Sequence, residues 1–342
     1  MAYYDRTFDA LGLRDWCDAT GGEAKLSMAD LLAQANAGNA EDGPIFPFPS
    51  LDALHEACLA IPQSRDFVAS VESGFLAIKD ALKLVLDPPT QPLSWMLEWA
   101  LQAVNAVPWW LILPLLFVSV WYVSRSRAVT AFVILVFACL GFIDHLDPAL
   151  QTLSIVLVCT GISILFGVPI GIAMAKSDGL QRTVLPVLDL LQTLPTFVYL
   201  IPLIFLFSVT EPKLYGIAII AYAIVPVIRL TDLGIRLVDR DVVEAADAFG
   251  MSPRQKLWGV ELPLALPNIM AGINQTIMMS LAMVVIASLV SAPGLGVLVL
   301  RGIRNLELGV GLIAGLGIVL LAIVLDRVSK AALERVSAVQ KH

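Results

Sequence analysis

The chain has 342 residues, 58% of them hydrophobic, and its mean hydropathy is +0.82. A composition this apolar excludes an ordinary soluble domain of this length and predicts a membrane protein with several spans. The net charge of −7 is uneven, because residues 1–105 carry 15 acidic and 6 basic side chains whereas residues 106–342 carry 14 and 16. We therefore predict an acidic tail over 1–105, a membrane domain over 106–325 and a C-terminal tail over 326–342.

The acidic tail is expected to contain helices that do not cross the membrane. It begins with a charged segment that lacks the apolar core of a secretory signal peptide. Apolar residues recur at steps of three and four between Phe67 and Val85, which predicts an amphipathic helix over 64–86. The sequence Asp87-Pro88-Pro89 is expected to end this helix, since proline removes a backbone donor and clashes with the preceding turn.

Tryptophans mark the junction between the tail and the membrane domain. Trp95 and Trp99 lie one helical turn apart, and Trp109 and Trp110 follow. Because the indole ring prefers the membrane interface, we predict an interfacial helix over 94–105 that leads into the first span. The alternative is a soluble core containing these rings, and the spans that follow directly argue against it.

Apolar segments long enough to cross a bilayer follow the tail, and we count about seven. Membrane spans of this kind are helical, so the predicted fold class is an all-α polytopic membrane protein. The second segment is short for a hydrocarbon core about 30 Å thick. The predicted spans are 106–123, 128–143, 150–175, 186–207, 214–230, 269–291 and 308–325.

Lysine and arginine decide the orientation of these spans. When the charged loop between the fifth and sixth spans is placed in the cytoplasm, thirteen basic residues of the membrane domain and C-terminal tail lie inside. Only Lys213, Arg301 and Arg304 then lie outside. The acidic N-terminal tail is therefore predicted to be extracytoplasmic and the C-terminus cytoplasmic. For Cys17 and Cys58 in that tail, a disulfide and two free thiols both remain open.

The charged loop, residues 239–263, is predicted to form two helices joined by a tight turn. Asp241 is expected to cap a short first helix, and Gly250 suits the left-handed position that ends it. We call this helix–turn–helix the elbow. Similar elbows occur in DNA-binding proteins and in ordinary helical hairpins, but flanking membrane spans argue against both, and no nucleic acid partner is predicted.

The second helix of the elbow carries a clear start signal. Ser252 is followed by Pro253 at the first helical position and by Gln255 three residues after the cap, which predicts a capping box. Leu262-Pro263 is expected to close this helix. Trp258 is expected to brace the elbow against the spans.

The elbow also carries a recognisable motif. Glu244-Ala245-Ala246 is followed after three residues by Gly250, and after nine more by Val260, Leu262 and Pro263. This pattern resembles the EAA loop of ABC-importer permeases, with valine where isoleucine is usual. The resemblance implies a type I ABC importer transmembrane domain in the bacterial cytoplasmic (inner) membrane. It also implies that six of these loop residues, all except Val260, couple the chain to an ATPase subunit.

Three further stretches, 188–202, 269–276 and 298–303, resemble the ProW-like glycine betaine/proline betaine branch of that family. The resemblance covers roughly residues 100–330. It implies import of a quaternary ammonium or related solute: glycine betaine, proline betaine, choline, carnitine or trimethylamine N-oxide. The implied partners are an ATPase dimer, a periplasmic substrate-binding protein, a second copy of this chain and membrane lipid.

Candidate pathway residues follow from the same branch, and helix packing is the alternative role for each of them. They are Phe197, Tyr199, Asn274, Gln275 and Met278. Aromatic cages suit methylated cations, because the ring face attracts positive charge, but the resemblance implies that the high-affinity cage belongs to the binding protein and that this chain holds only a weak site.

The sequence also lacks the motifs that bind phosphate or metal ions. It contains no phosphate-binding loop, so no cofactor is predicted on this chain, and ATP-Mg and its hydrolysis are assigned to the partner ATPase. The three histidines are scattered without metal-ligand spacing. Asp189 is the one acidic residue that lies well inside a predicted span.

An ion-coupled secondary carrier is the alternative function. Such carriers contain internal repeats and intramembrane charges, and neither is evident in this sequence.

Overall fold

The computed structural model describes residues 4–13, 16–17, 48–58 and 60–340, and every regular element in those ranges is helical. Residues 1–82 and 83–342 form two compact units. The α-helices are α1 (Asp5–Ala10), α2 (Leu51–Ala57), α3 (Ser64–Ala106), α4 (Trp109–Ser124), α5 (Arg127–Phe142), α6 (Leu146–Lys176), α7 (Asp178–Thr193), α8 (Leu200–Leu206), α9 (Pro212–Arg236), α10 (Arg240–Ala248), α11 (Pro253–Lys256), α12 (Leu262–Ala287), α13 (Leu295–Arg304) and α14 (Leu308–Gln340).

Local hydrogen bonds and one disulfide hold the described part of the first unit together. The Ser50 hydroxyl accepts from Ala53 N and caps α2. The Asp52 carboxylate accepts from the hydroxyl and the backbone N–H of Ser64 at 2.7 and 2.8 Å, which joins α2 to the start of α3. These bonds hold the pKa of Asp52 below its usual range, the hydroxyl contributing most. Cys17 and Cys58 form a disulfide, which settles the alternative left open by the sequence.

The prediction that Asp87-Pro88-Pro89 ends a helix is wrong. Helix α3 continues through these prolines to Ala106, so the predicted interfacial helix is its final part. Tertiary contacts with α9 explain the difference. Lys213 pairs with Asp87 at 2.8 Å, and Leu93 and Leu97 pack so closely on Gly216 that a Cβ there would lie 2.6 Å from a Leu97 methyl.

The predicted spans correspond to three kinds of helical segment in the structure: long apolar helices, bent helix pairs and one shorter apolar helix. Four helical stretches are long and apolar enough to cross a membrane: 146–176, 212–236, 253–290 and 308–335. Two further candidates are bent pairs: α3 with α4 at 118°, and α7 with α8 and the 3₁₀ turn before it, Thr196–Tyr199, at 107°. Helix α5 is apolar but has only 16 residues. The all-α architecture is confirmed, while the number of seven spans stays a prediction.

Helix α9 occupies the centre of the membrane unit, between α6 and α12. Its approach to α6 depends on a glycine, because a Cβ at Gly171 would lie 2.7 Å from the backbone oxygen of Ile228. Between α6 and α12, the buried hydroxyls of Thr160 and Ser280 form a hydrogen bond of 3.1 Å. The three helices therefore form one closely packed core, and the elbow connects two of them, α9 and α12.

Candidate functional site: the charged elbow

The first helix of the elbow, α10, presents the motif residues on two faces. Its N-cap is Asp239, whose carboxylate accepts from the N–H of Asp241, so the prediction of Asp241 as the cap is wrong by two residues. Glu244 and Ala245 are exposed, whereas Ala246 is buried. The helix therefore packs against the rest of the protein through Ala246 and leaves Glu244 and Ala245 exposed.

Gly250 ends α10 in the predicted left-handed conformation, with φ of +74°. The N–H of Met251 donates to the carbonyl of Ala246 at 3.1 Å, and the N–H of Gly250 donates to that of Asp247 at 2.9 Å. This pair of bonds is a Schellman motif, which satisfies the last carbonyls of the helix and fixes the direction of the turn. The exposed Phe249, at 86%, lies beside this turn.

The second helix begins with the predicted capping box. Gln255 N donates to the Ser252 hydroxyl at 3.4 Å, and Ser252 N donates to the Gln255 side chain at 2.8 Å. The prediction that Leu262-Pro263 closes this helix is wrong, because α11 continues through a π-helical turn, Leu257–Glu261, directly into α12. In a regular α-helix the Pro263 ring would clash with the carbonyl of Gly259, and the wider π-helical turn gives it room.

The elbow is braced by ion pairs rather than by Trp258. That side chain is 71% exposed, which contradicts the predicted bracing role. Lys256 instead pairs with Asp247 at 2.7 Å and joins the two helices of the elbow. Glu261, at the end of the π-helical turn, is buried and pairs with Lys176 at the end of α6.

A second ionic cluster lies where α6, α7 and α9 meet. The buried Asp232 carboxylate accepts from Gln181 at 2.7 Å and from Arg236 at 2.9 Å. Arg236 also donates to Asp178 at 2.7 Å and to the carbonyl of Met174 at 2.8 Å. Sequence reasoning overlooked Asp232, although Arg236 follows it by four residues, which is the spacing of a helical ion pair.

Asp189, the acidic residue singled out in the sequence, forms an ion pair with Arg229 of α9. Its side chain is 62% exposed. The pair therefore joins α7 to α9 at a site that remains open to the surroundings, and Asp189 is not a buried acid.

Two of the candidate pathway residues lie where the α7–α8 helix is broken. Phe197 and Tyr199 belong to the 3₁₀ turn Thr196–Tyr199, and Phe197 is 56% exposed. Tyr199 is buried, and its hydroxyl has no partner among the described residues. Its ring meets that of Tyr222 edge to face, with centroids 6.4 Å apart.

The other three candidates lie on α12. Asn274 donates to Asp326 at 3.0 Å and accepts from Ser329 at 2.8 Å, both on α14. Asn274 and Gln275 line one pocket of about 440 Å³ between the helices. Met278 is half-buried. The structure thus brings Asn274 and Gln275 together, and Asn274 already uses both ends of its amide in helix–helix contacts.

Comparison with known proteins identifies the family. Residues 167–337 match the family described as "Binding-protein-dependent transport system inner membrane component". The chain is 45% identical over 222 residues to the glycine betaine transport system permease protein OpuAB of Bacillus subtilis (strain 168), covering 64% of this chain and 78% of that protein. It is 37% identical over 303 residues to the glycine betaine/proline betaine transport system permease protein ProW of Escherichia coli (strain K12), covering 89% and 82%.

The fold has a solved counterpart. An inward-facing structure of the MetNI methionine ABC transporter aligns over 56% of this chain and 95% of its own, with a TM-score of 0.51 and 19% identity. These comparisons support the ABC permease and not the ion-coupled carrier, and in such a permease ATP hydrolysis belongs to a separate subunit. The chain therefore belongs to the binding-protein-dependent transport system inner membrane component family, as the permease subunit of an ABC importer.

Proposed function

We propose that this permease imports a methylated ammonium or amine-oxide solute. The candidate solutes are glycine betaine, proline betaine, choline, carnitine and trimethylamine N-oxide. The observation that carries the proposal is the 37% identity to a glycine betaine/proline betaine permease over most of both chains. A periplasmic binding protein delivers the solute, and a second copy of this chain completes the pathway.

The elbow is proposed to be the docking site for the ATPase subunit. The residues proposed to couple the two proteins are Glu244, Ala245, Ala246, Gly250, Leu262 and Pro263. The exposed Glu244 and Ala245 support this role, because they form a small anionic surface that a basic groove can approach. The Schellman turn and the Lys256–Asp247 pair support it too, since they make the elbow rigid enough to transmit force. ATP-Mg binds the partner, and this chain carries no cofactor of its own.

The solute is proposed to pass the break between α7 and α8 and the polar part of α12. Phe197, which is 56% exposed, supplies aromatic surface for a methylated cation, whereas Tyr199 is buried and contributes its ring only where the break opens. Asn274 and Gln275, with Met278 one turn further on, would supply polar and polarisable surface. Broken helices that expose irregular backbone are typical of helices that line transport pathways, which supports the first location.

We also propose that the N-terminal tail is periplasmic and the C-terminus cytoplasmic. This orientation is supported because it places thirteen basic residues of the membrane domain and C-terminal tail in the cytoplasm and only three outside. The Cys17–Cys58 disulfide supports it independently, because disulfides persist in oxidising compartments such as the periplasm. The multi-pass chain contacts membrane lipid along its apolar helices.

Reconstitution tests the proposed function. The permease is purified with its ATPase, placed in liposomes, and supplied with the binding protein, ATP and radiolabelled glycine betaine. We expect ATP-dependent uptake that unlabelled choline or carnitine reduces, while maltose and phosphate do not. Glu244→Lys and Gly250→Asp should reduce ATPase co-purification and uptake together. ATP-dependent uptake of maltose or phosphate without uptake of any methylated solute would contradict the proposed substrate class.

A further inference from the structure

An apolar groove of about 360 Å³ lies on the membrane unit between α4, α6 and α14. Of its lining side chains only Ser119 is polar, and the Ser119 hydroxyl donates to the carbonyl of Leu115 one turn earlier, at 2.8 Å. The groove therefore offers no free polar group. A hydrophilic solute would lose its hydration there without compensation, whereas a hydrocarbon chain would not.

Two arginines lie beyond one end of this groove, held by aromatic rings. Arg125 follows α4 in a left-handed conformation, with its guanidinium 5.2 Å from the Trp121 ring centroid and 5.3 Å from that of Tyr122. Arg335 of α14 lies 5.7 Å from the Tyr122 ring and donates to the Tyr122 carbonyl at 2.8 Å. Both arginines are exposed. No carboxylate among the described residues forms an ion pair with either of them.

The groove and the arginines are adjacent along the same two helices. Val123 lines the groove and precedes Arg125 by two residues, while Val328 lines it and precedes Arg335 by about two turns. The groove therefore leads towards two uncompensated positive charges. Tryptophan and tyrosine at that level are typical of residues at the boundary between hydrocarbon and headgroups.

We propose that this surface binds one anionic phospholipid, such as phosphatidylglycerol. The guanidiniums of Arg125 and Arg335 bind the headgroup phosphate, for which their paired N–H groups are well suited. One acyl chain lies in the groove against α4 and α14. A transmembrane helix of a second copy would also cover the groove, but it would leave the two arginines without an anion, so charge complementarity favours the lipid.

Native mass spectrometry of the permease–ATPase complex tests the proposal, with phosphatidylglycerol and phosphatidylcholine titrated separately in detergent. We expect tighter retention of phosphatidylglycerol by the wild-type complex. Arg125→Gln and Arg335→Gln should each weaken that binding about fivefold while leaving phosphatidylcholine unchanged. Arg304→Gln, which removes an exposed arginine from α13, is the matched control and should bind as the wild type does.

A groove variant tests the acyl-chain half of the site without altering charge. Ser119→Phe fills the groove and should reduce the occupancy of both lipids. ATPase co-purification shows that each variant is assembled, and Arg125→Lys, which keeps the charge but loses the paired donors, should bind with intermediate affinity. Equal retention of the two lipids by the wild type, or an equal loss in Arg304→Gln, would overturn the proposal. The proposal would also be overturned if Ser119→Phe left lipid binding unchanged but altered the number of permease copies in the complex. That result would show that the groove is a contact between copies of the chain.

Discussion

Lys176, the last residue of α6, donates to the carboxylate of Glu261, the last residue of the π-helical turn that leads into α12. The two side chains are not equally exposed, since Lys176 is 41% and Glu261 6% accessible. Glu261 pairs with no other described residue. Lys176 can turn towards water if its partner is lost, whereas Glu261 cannot.

The first prediction follows from this asymmetry. Lys176→Met should lower the free energy of unfolding by about 3 kcal/mol, because it leaves a buried carboxylate unpaired. Glu261→Gln should cost only about 1 kcal/mol, since the neutral amide needs no counter-charge. The measurement is the thermal midpoint of the purified complex. Asp247→Asn, in the more exposed Lys256 pair, is the control and should cost about 1 kcal/mol or less.

The order of these two costs is the decisive result. If Glu261→Gln proved as damaging as Lys176→Met, burial of Glu261 would not govern the pair. The exchanged pair Lys176→Glu with Glu261→Lys should recover part of the loss seen in Lys176→Glu alone.

The second prediction concerns Gly250. Its φ of +74° is unfavourable for a residue with a Cβ, yet no atom lies within 4 Å of the Cβ position. The penalty of Gly250→Ala is therefore conformational, about 1 kcal/mol, and should reduce ATPase co-purification about fivefold. Gly250→Asn should retain most of the docking, because asparagine tolerates the left-handed region. An equal loss in both variants would indicate a steric contact with the ATPase instead.

The third prediction compares two glycines of α6. Gly171→Ala places a methyl group 2.6 Å from Thr231 Cβ and 2.7 Å from the Ile228 carbonyl oxygen, so α6 and α9 must separate. We expect a loss of about 1–3 kcal/mol, measured as a lower thermal midpoint. Gly161→Ala, with no atom within 4 Å, is the matched control and should be neutral or slightly stabilising. Equal midpoints would show that α6 and α9 are not tightly packed.

The fourth prediction tests the orientation of the tail. In intact cells, a membrane-impermeant thiol reagent should label Cys17 and Cys58 only after treatment with an impermeant reductant. A Cys139→Ser/Cys159→Ser background removes the other two cysteines and makes the signal specific. Labelling that appears only after cell lysis would place the tail in the cytoplasm and contradict the proposed topology.

Local signals in the sequence predicted two features of the elbow correctly, although the predicted cap at Asp241, helix end at Leu262-Pro263 and bracing by Trp258 were wrong. The capping box of Ser252 and Gln255 and the left-handed Gly250 are formed as expected, because each depends on bonds between residues a few positions apart. The family resemblance likewise rests on a short motif, and the comparisons confirm it. Whether Glu244 and its neighbours contact the ATPase stays a prediction.

Features that depend on distant contacts were not predictable in the same way. Helix α3 passes through its prolines where Asp87 pairs with Lys213, 126 residues away in sequence. The burial of Asp232 and Glu261 likewise results from partners on other helices. A single sequence gives the spacing of such charges along one helix but not which helices meet.

The π-helical turn lets Pro263 lie inside a continuous rod between the elbow and the span. A π-helical turn contains one residue more than an α-helical turn, so deletion of one residue would restore α-helical geometry and leave the flanking helices at nearly the same angle about their axis. Gly259 is suited to that deletion, because it is exposed and has open space around it. The restored α-helical turn would bring the Pro263 ring against the backbone carbonyl four residues earlier, so the rod would kink there. A chain without Gly259 would keep each motif residue and tilt the elbow away from the line of α12.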